Sequence, residues 1–218
     1  MEAGTGFVLS LFFIILPVGL LLISYLFKDS FYSSWKHRRY SSPLELGNFG
    51  EQQIYDVLLQ SFPENHIFRN IHLMKPNGRY TEIDLIAVGK KGIYVFESKN
   101  YSGWIFGSGH QRMWMQTFPN GSKARFYNPV LQNRGHINAL KFTLRNFPKI
   151  RYFSFIVFIG PCELKKIEVS SPDTYVLYKY MLKSEMTNIM EGLPDIITQE
   201  ERYKIISLLS MYKSTHAA

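Results

Sequence analysis

Apolar residues follow three different spacings along the chain, and each spacing predicts a different kind of element. Residues 7–27 are apolar almost throughout and carry no charge, which is typical of a membrane-spanning helix. Within residues 47–62, apolar residues recur every three or four positions, which indicates one face of a helix that Pro63 ends. Residues 81–99 contain two apolar runs joined by Gly-Lys-Lys-Gly, and this pattern predicts a β-hairpin.

The remaining elements are predicted from shorter patterns of the same kinds. Further strands are expected at residues 66–73, within 103–118, at 153–159 and at 174–178, and helices at 128–147, 184–190 and 198–212. Because some strands follow each other directly and others are separated by a helix, the order predicts an α/β (α+β) chain. We expect one mixed β-sheet flanked by helices, with the continuous apolar run 153–159 at its centre.

The apolar N-terminal run predicts a membrane anchor. A cleaved signal peptide would need a basic leading region and a shorter apolar core. Here the only charged residue before the apolar run is the acidic Glu2. The basic residues follow the run, so the positive-inside rule places residues 28–218 in the cytoplasm and the N-terminus outside the cell membrane. The basic residues of this flank are Lys28, Lys36, Arg38 and Arg39.

The predicted organisation has four parts. They are a segment with the transmembrane helix (1–27), a basic linker (28–45), a catalytic-type domain (46–160) and a mostly helical extension that packs on it (161–218). The net charge of +8 favours a polyanionic partner, either nucleic acid or an anionic membrane surface, although a solvated basic surface is the plain alternative. With Cys162 as its single cysteine, the chain has no internal disulfide, and a structural zinc site is not expected.

Charged residues interrupt the predicted hairpin where apolar ones would suit a core. Glu82 and Asp84 lie in its first strand, and Glu97 and Lys99 end its second. Residues two apart on a strand point to the same face of the sheet. Glu82 is therefore expected to share a face with Asp84, and Glu97 with Lys99, and Asp84 is expected near the level of Glu97. Two carboxylates about 4 Å apart repel by roughly 4 kcal/mol at an effective dielectric constant of 20, so either a cation lies between them or one of the two acids is protonated.

A cation between Asp84 and Glu97 would suggest a particular chemistry. Lys99 supplies one positive charge, and Mg²⁺, or alternatively Mn²⁺, held by Asp84 and Glu97 would supply two. Such a metal polarises a phosphate oxygen and activates water for phosphodiester hydrolysis, with the lysine orienting the water or helping to deprotonate it. An ordinary cross-strand ion pair between Glu82 and Lys99 is the alternative, and the role of Glu82 stays open.

An ordered series of short motifs surrounds this hairpin over about residues 46–145. Together they resemble the nuclease-related domain (NERD) family of the PD-(D/E)XK nuclease superfamily. The motifs are Gly47-Asn48-Phe49-Gly50-Glu51, Glu82-Ile83-Asp84, the run Gly92 to Asn100, Gly103, Trp114 with Gln116, and Asn128 to Asn133 with His136 and Leu140 behind it.

The resemblance implies a restriction-endonuclease-like mixed sheet flanked by helices, and it implies a role for each matching residue. The implied metal ligands are Asp84, Glu97 and the Ser98 backbone carbonyl, and the implied catalytic residues are Lys99, Glu51 and Gln132. Taken alone, Glu51 is equally well explained as a first-turn helix acid, and Gln132 and His136 as surface residues of a helix. Trp104 and Trp114 are predicted core residues, with stacking on bases as an alternative.

These observations predict a membrane-anchored, divalent-metal-dependent nuclease, a phosphodiester hydrolase whose substrate is DNA. The mode, endonuclease or exonuclease, stays open. A second hypothesis is a catalytically inactive nuclease-like module that binds nucleic acid or a protein partner at the membrane. A third, a membrane scaffold without nuclease function, predicts that Asp84, Glu97 and Lys99 are all dispensable.

Overall fold

Nine strands, four α-helices and two short 3-10 helices, Glu64–His66 and Lys179–Met181, lie within residues 43–213, the part of the chain that the computed structural model describes. The helices are α1 (Pro43–Leu58), α2 (Pro129–Thr143), α3 (Leu182–Gly192) and α4 (Gln199–Ser210). The strands are β1 (Ile67–Met74), β2 (Tyr80–Val88), β3 (Ile93–Lys99), β4 (Gly103–Ser108), β5 (Met113–Thr117), β6 (Lys123–Tyr127), β7 (Tyr152–Phe158), β8 (Cys162–Glu168) and β9 (Thr174–Tyr178).

The strands form two mixed sheets. The first has the order β1-β2-β3-β7-β9, and the second has the order β6-β5-β4-β8. In each sheet an antiparallel set is extended by parallel strands, through the pairs β3–β7 and β7–β9 in the first sheet and β4–β8 in the second. The predicted mixed α+β class is confirmed, whereas the prediction of one sheet is wrong.

The two sheets separate at the short connection that follows β3. Gly103 opens β4 with a φ of 73°, a conformation that side chains rarely adopt, and a Cβ there would overlap the Thr117 carbonyl oxygen. The chain therefore turns sharply a few residues after Lys99 and pairs with new neighbours. Strand periodicity predicts β3 and β4 as strands, but it carries no information about this change of partner.

Helices cover both faces of the first sheet. The apolar residues of α1 and α3 form one buried cluster with the sheet, around Ile54, Leu58 and Met186. Those of α2 and α4 form a second cluster, around Leu140 and Ile205. Burying both faces explains why β7, which lies between β3 and the edge strand β9, reads as a continuous apolar run. The predicted burial of β7 is confirmed, but its predicted place at the centre of the sheet is wrong, because β3 is the middle strand.

A third apolar cluster joins the two sheets. Trp114 of β5 is 1% exposed and stacks on Phe158 of β7, with ring centroids 6.4 Å apart. The prediction of a core position is confirmed for Trp114 and is wrong for Trp104, which is 49% exposed. The alternation of β4 explains the difference, since Ile105 faces this cluster and its neighbour Trp104 consequently faces away.

Residues 161–213 contribute to both sheets. β8 completes the second sheet and β9 the edge of the first, and α3 and α4 then follow them. No helix within residues 43–213 combines the length and apolar character needed to cross a membrane. The predicted span at residues 7–27 and most of the predicted basic linker lie outside the described residues.

Candidate active site

The end of β3 holds a buried ion pair. Glu97 is 1% exposed, and its Oε1 accepts a hydrogen bond from Lys99 Nζ at 2.5 Å. Lys99 Nζ also donates to Gln132 Oε1 at 3.3 Å, across the gap between the sheet and α2. Burial by itself lowers the pKa of the Lys99 ammonium, but the adjacent Glu97 carboxylate outweighs it and leaves the pKa raised. Lys99 is therefore held as a cation.

His136 completes the contacts of Glu97. Its Nε2 lies 3.0 Å from Glu97 Oε2, and its Nδ1 lies 3.0 Å from Thr81 Oγ1. His136 is buried, so the surface reading of this residue is wrong, and Gln132 is half-buried against Lys99. With a proton on Nε2, the imidazole donates to Glu97 while Nδ1 accepts from the Thr81 hydroxyl. The i+4 spacing from Gln132 was the sequence signal for this role.

Two asparagines place α2 against the site. Asn128 caps the helix by accepting from the Val130 N–H at 2.9 Å, and its amide group also donates to the Gln111 carbonyl at 2.6 Å. Asn133 is fully buried and donates to the Val95 carbonyl and to Ser154 Oγ, each at 2.9 Å. The Asn-Pro-x-x-Gln-Asn motif therefore fixes the helix on the sheet, while its glutamine reaches Lys99.

Asp84 lies beside this pair in β2. Its Oδ2 accepts a hydrogen bond from the Ser98 backbone N–H at 2.9 Å. Burial, and then the nearby Glu97 charge, raise the pKa of Asp84 from 3.8 to about 8. Leu85 pairs with Phe96 in antiparallel strands, so the next position places Asp84 opposite Glu97, in agreement with the expected register. The two carboxylates are thus neighbours without enough positive charge between them.

The alternation of side chains breaks at Asp84. Ile83 packs in the cluster of α2, but Leu85, two residues later, packs in the cluster of α1 on the opposite face. The break lies opposite Asn70 of β1, whose φ of 50° is unusual for a strand residue. The expectation that Glu82 and Asp84 share a face is therefore wrong. Glu82 is exposed, and its Oε2 lies 3.7 Å from His72 Nε2, so it is not the partner of Lys99.

Glu51 approaches the site from α1. Its neighbour Gly50 allows the helix to lie close to β3, because a Cβ on Gly50 would be 2.7 Å from Ser98 Oγ. Burial raises the pKa of Glu51, and the nearby charges of Glu82 and Glu97 add to this, while Arg69 and a hydrogen bond with the Asn70 side chain lower it. Glu51 Oε2 is buried and has no hydrogen-bond partner among the residues that the structure describes. Sequence reasoning missed Asn70, whose only signal is a polar residue within an apolar strand.

The donor set fits a hard divalent cation that keeps several waters. The charge of Glu97 raises the pKa of both Asp84 and Glu51, the charge of Glu51 also raises the pKa of Asp84, and Lys99 is the cation that directly contacts Glu97. Glu51 Oε2 offers a free buried oxygen. Within residues 43–213, however, no three His, Cys, Asp or Glu side chains converge as a ready-made metal cage. Asp84, Glu97 and the Ser98 carbonyl would have to be supplemented by water and a phosphate oxygen.

Similarity to known proteins agrees with this geometry. Residues 46–159 match the family model of the nuclease-related domain, NERD. The chain is also 30% identical over 157 residues to an uncharacterized protein of Bacillus anthracis, an alignment that covers 71% of each chain. No solved structure matches the chain. The family match spans α1, the hairpin, α2 and β7, which together hold all six predicted site residues. The chain therefore belongs to the nuclease-related domain family.

Proposed function

We propose that this protein is a divalent-metal-dependent nuclease that hydrolyses phosphodiester bonds, with DNA as its substrate. The observation that carries the proposal is the charge balance beside β3. Three carboxylates, on Glu51, Asp84 and Glu97, are electrostatically coupled, and the single ammonium of Lys99 is bonded to one of them. This coupling adds to burial in raising the pKa of Asp84 to about 8, so the acid is protonated at pH 7 unless a bound cation takes the place of the proton, and strongly perturbed carboxyl groups are typical of functional sites.

Each residue has a distinct task in this proposal. Mg²⁺, or Mn²⁺, held by Asp84, Glu97 and the Ser98 carbonyl would stabilise charge on the phosphate and lower the pKa of a bound water. Lys99, kept protonated by Glu97, offsets negative charge that develops on the scissile phosphate. Gln132 positions the Lys99 ammonium, and Glu51 offers its unpaired oxygen to a metal-bound or attacking water.

Behind these residues, His136 acts on the orientation of Glu97. Its contact with Oε2, 3.0 Å away, and its contact with Thr81 on the other ring nitrogen fix the rotation of the carboxylate. A carboxylate that is fixed before a ligand arrives loses less conformational entropy on binding it. His136 is therefore a positioning residue in this proposal.

A catalytically inactive module that binds nucleic acid or a protein partner is the second candidate. One observation favours it, since both oxygens of Glu97 are engaged, by Lys99 and by His136. A metal would have to compete with these contacts or share the oxygens with them. The two candidates differ in whether metal binding and strand cleavage occur.

We also propose that residues 7–27 anchor the protein in the cell membrane as a single span, with residues 28–218 in the cytoplasm. The uncharged apolar run and the basic residues that follow it support this placement. Sodium carbonate extraction of membranes and protease protection of a C-terminal tag test it. Release of the full chain by carbonate, or protection of the tag in intact inside-out vesicles, would contradict the proposal.

The nuclease proposal is tested with the full chain in a mild detergent. Circular and linear DNA, and RNA of the same sequence, are incubated with Mg²⁺, with Mn²⁺ or with EDTA, and Mn²⁺ binding is measured separately by calorimetry. We expect metal-dependent cleavage of DNA that is lost in Lys99→Ala and in Asp84→Asn. Asp84→Asn should also lose Mn²⁺ binding, because a neutral amide is a poor ligand for a hard cation.

Glu200→Gln is the matched control, because Glu200 is an exposed acid of α4 that pairs only with Lys204 among the described residues. It should cleave DNA and bind Mn²⁺ like the wild type. Binding of nucleic acid by a wild type that takes up no metal and cuts nothing would refute the nuclease and support the inactive module.

A further inference from the structure

The outward face of the second sheet has no role in the site described above. Alternation along β4 and β5 places Ile105 and Trp114 in the core, so that Trp104, Phe106, Met113 and Met115 face the other way. We call this surface the outer face. It consists of Trp104, Phe106, Met113, Met115, Arg125 and Lys166.

Cations and apolar groups form a row across the outer face. Arg125 of β6 pairs with Met115 of β5, which pairs with Phe106 of β4, which in turn pairs with Lys166 of β8. At about 4.8 Å per strand, the two cations lie roughly 14 Å apart with the two apolar side chains between them. A row of this kind suits a ligand with an apolar centre and anionic edges.

A groove follows this row. It has a volume of about 530 Å³ and is lined by Phe106, Met113, Met115, Arg112, Arg125 and Lys166, among others. Glu168 is the one acidic side chain that lines it, and it lies 3.4 Å from Lys166. The lining is therefore net positive, and its volume is within the range of sites for small flat ligands. A double helix is too wide for such a groove, whereas an unpaired base fits it.

Exposed aromatic groups lie beside the groove, and the ammonium of Lys165 lies 5.3 Å from the centroid of the Trp104 ring. Trp104 is 49% exposed and Tyr127, on the neighbouring edge strand, is 46% exposed. Large aromatic side chains are normally buried, and exposed ones next to cations are typical of surfaces on which bases stack. Four-stranded sheets with exposed aromatic side chains are a recurrent platform for unpaired bases.

We propose that the outer face binds single-stranded nucleic acid, with bases stacked on Trp104 and Phe106 and phosphates paired with Arg125 and Lys166. The inference rests on the proposed nuclease function in one respect, because it names the strand form that reaches the site. Lys99 ends β3, and Trp104 follows it by five residues, so their Cα atoms are at most about 19 Å apart. This distance is short enough for a strand of a few nucleotides bound at the outer face to reach Lys99.

The test measures binding without cleavage. Full-length protein in detergent and EDTA is titrated into fluorescein-labelled oligonucleotides of about 20 nucleotides, longer than one stacking site, and anisotropy is recorded. The probes are single-stranded DNA, single-stranded RNA and duplex DNA of the same sequence. We expect both single strands, or one of them, to bind more tightly than the duplex, and the comparison of DNA with RNA identifies the sugar.

Two variants test the two parts of the outer face. Trp104→Ala should weaken single-strand binding about tenfold or more, and Trp104→Phe, which keeps a ring, should recover most of the affinity. Arg125→Ala should weaken binding several-fold and should lower the slope of log affinity against log salt concentration by about 0.7. Thermal unfolding of each variant confirms that it is folded, and both side chains are exposed enough to be replaced.

Tyr203→Ala and Lys204→Ala are the matched controls, an exposed aromatic and an exposed cation on α4. Both should bind oligonucleotides like the wild type. Equal losses in the controls, tighter binding of the duplex, or unchanged affinity in Trp104→Ala and Arg125→Ala would each overturn the proposal. Absence of oligonucleotide binding by the wild type would also overturn it.

The outcome is distinguishable from that of the nuclease proposal. Lys99→Ala should abolish cleavage but keep single-strand binding in EDTA. A protein that binds single strands through Trp104 and never cleaves them refutes the nuclease and leaves this inference intact. If Trp104→Ala and Arg125→Ala leave both cleavage and single-strand binding unchanged, this inference is refuted and the nuclease proposal is not.

Discussion

Replacing Asp84 by asparagine should stabilise the metal-free protein, although it removes a proposed metal ligand. The amide has nearly the shape of the carboxyl group, and its oxygen can still accept the 2.9 Å hydrogen bond from the Ser98 N–H. What it removes is an acid that is unfavourable to ionise next to Glu97 and must take up a proton when the protein folds at neutral pH. Active-site residues that are unfavourable for stability in the absence of ligand are the usual cost of a charged site.

The size of the effect is set by the pKa of Asp84. Burial and the Glu97 charge raise it from 3.8 to about 8, so at pH 7 folding requires this carboxyl to take up a proton. One pKa unit corresponds to about 1.4 kcal/mol, which gives a ceiling of about 4 kcal/mol at pH 7. Water entry and side-chain movement relieve part of the cost. We therefore expect Asp84→Asn to raise the free energy of unfolding by about 1 to 3 kcal/mol.

The sign of the pH dependence follows from the direction of the shift. The pKa of Asp84 is higher in the folded than in the unfolded protein. Its contribution to the free energy of unfolding is therefore fully present below about pH 4 and is lost as the pH rises through about 8. The variant has no such group and no such loss. Its advantage over the wild type should therefore grow from about pH 4 to about pH 8 and then stay constant.

Glu97→Gln is the matched comparison, since it also neutralises one acid of the site. It leaves the Lys99 ammonium, whose side chain is 15% exposed, without its 2.5 Å partner. Breaking a buried pair from one side costs about 3 kcal/mol or more, so this variant should be destabilised. The two acids of one site are thus expected to respond with opposite signs.

Urea denaturation in EDTA, followed by tryptophan fluorescence, measures both variants at about pH 5, 7 and 8.5. Excess Mg²⁺ should then stabilise the wild type but not Asp84→Asn, because a ligand stabilises only the form that binds it. Equal or lower stability of Asp84→Asn at pH 7 would refute the reasoning, as would an advantage that shrinks as the pH rises.

Three further substitutions test the surroundings of the site by urea denaturation in the same conditions. Gly160→Ala should cost about 2 kcal/mol or more and should lower cleavage, because its Cβ would overlap the Tyr101 carbonyl just after Lys99. Asn70→Gly should be about 1 kcal/mol more stable than Asn70→Ala, since both lose the side chain but alanine resists a φ of 50°. Asn133→Ala should lower the free energy of unfolding by about 1 to 3 kcal/mol, because the buried Val95 carbonyl loses its donor. An unchanged urea midpoint in Gly160→Ala or Asn133→Ala, or equal midpoints for the two Asn70 variants, would contradict the reasoning.

Much of the site was predictable because its residues interrupt a pattern. Apolar alternation makes a charged residue in a strand conspicuous, and Asp84, Glu97 and Lys99 stand out on that ground. The ordered motifs then added Glu51 and Gln132, and the structure brings Gln132 within 3.3 Å of Lys99. Their roles as ligands and catalysts stay predictions, which the cleavage and metal-binding experiments test.

Other features depended on contacts between distant parts of the chain. His136 and Glu97 are 39 positions apart, and His136 and Thr81 are 55 apart. The i+4 spacing placed His136 beside Gln132, but no local pattern shows that this face of α2 meets the end of β3. Asn70 was missed for a related reason, because a positive φ in a non-glycine residue leaves no reliable trace in the sequence.

The sequence by itself determined most of the elements, the charged hairpin and the family, but it did not predict the strands β6 and β8. Local periodicity is enough for these, because helices and strands each impose their own spacing on apolar residues. Only the tertiary structure decided that the strands divide into two sheets, that the alternation of β2 breaks at Asp84, and that Trp104 is exposed while Trp114 is buried. Strand partners, burial and electrostatic coupling are set by non-local packing, and one position in a chain carries no record of what will lie opposite it.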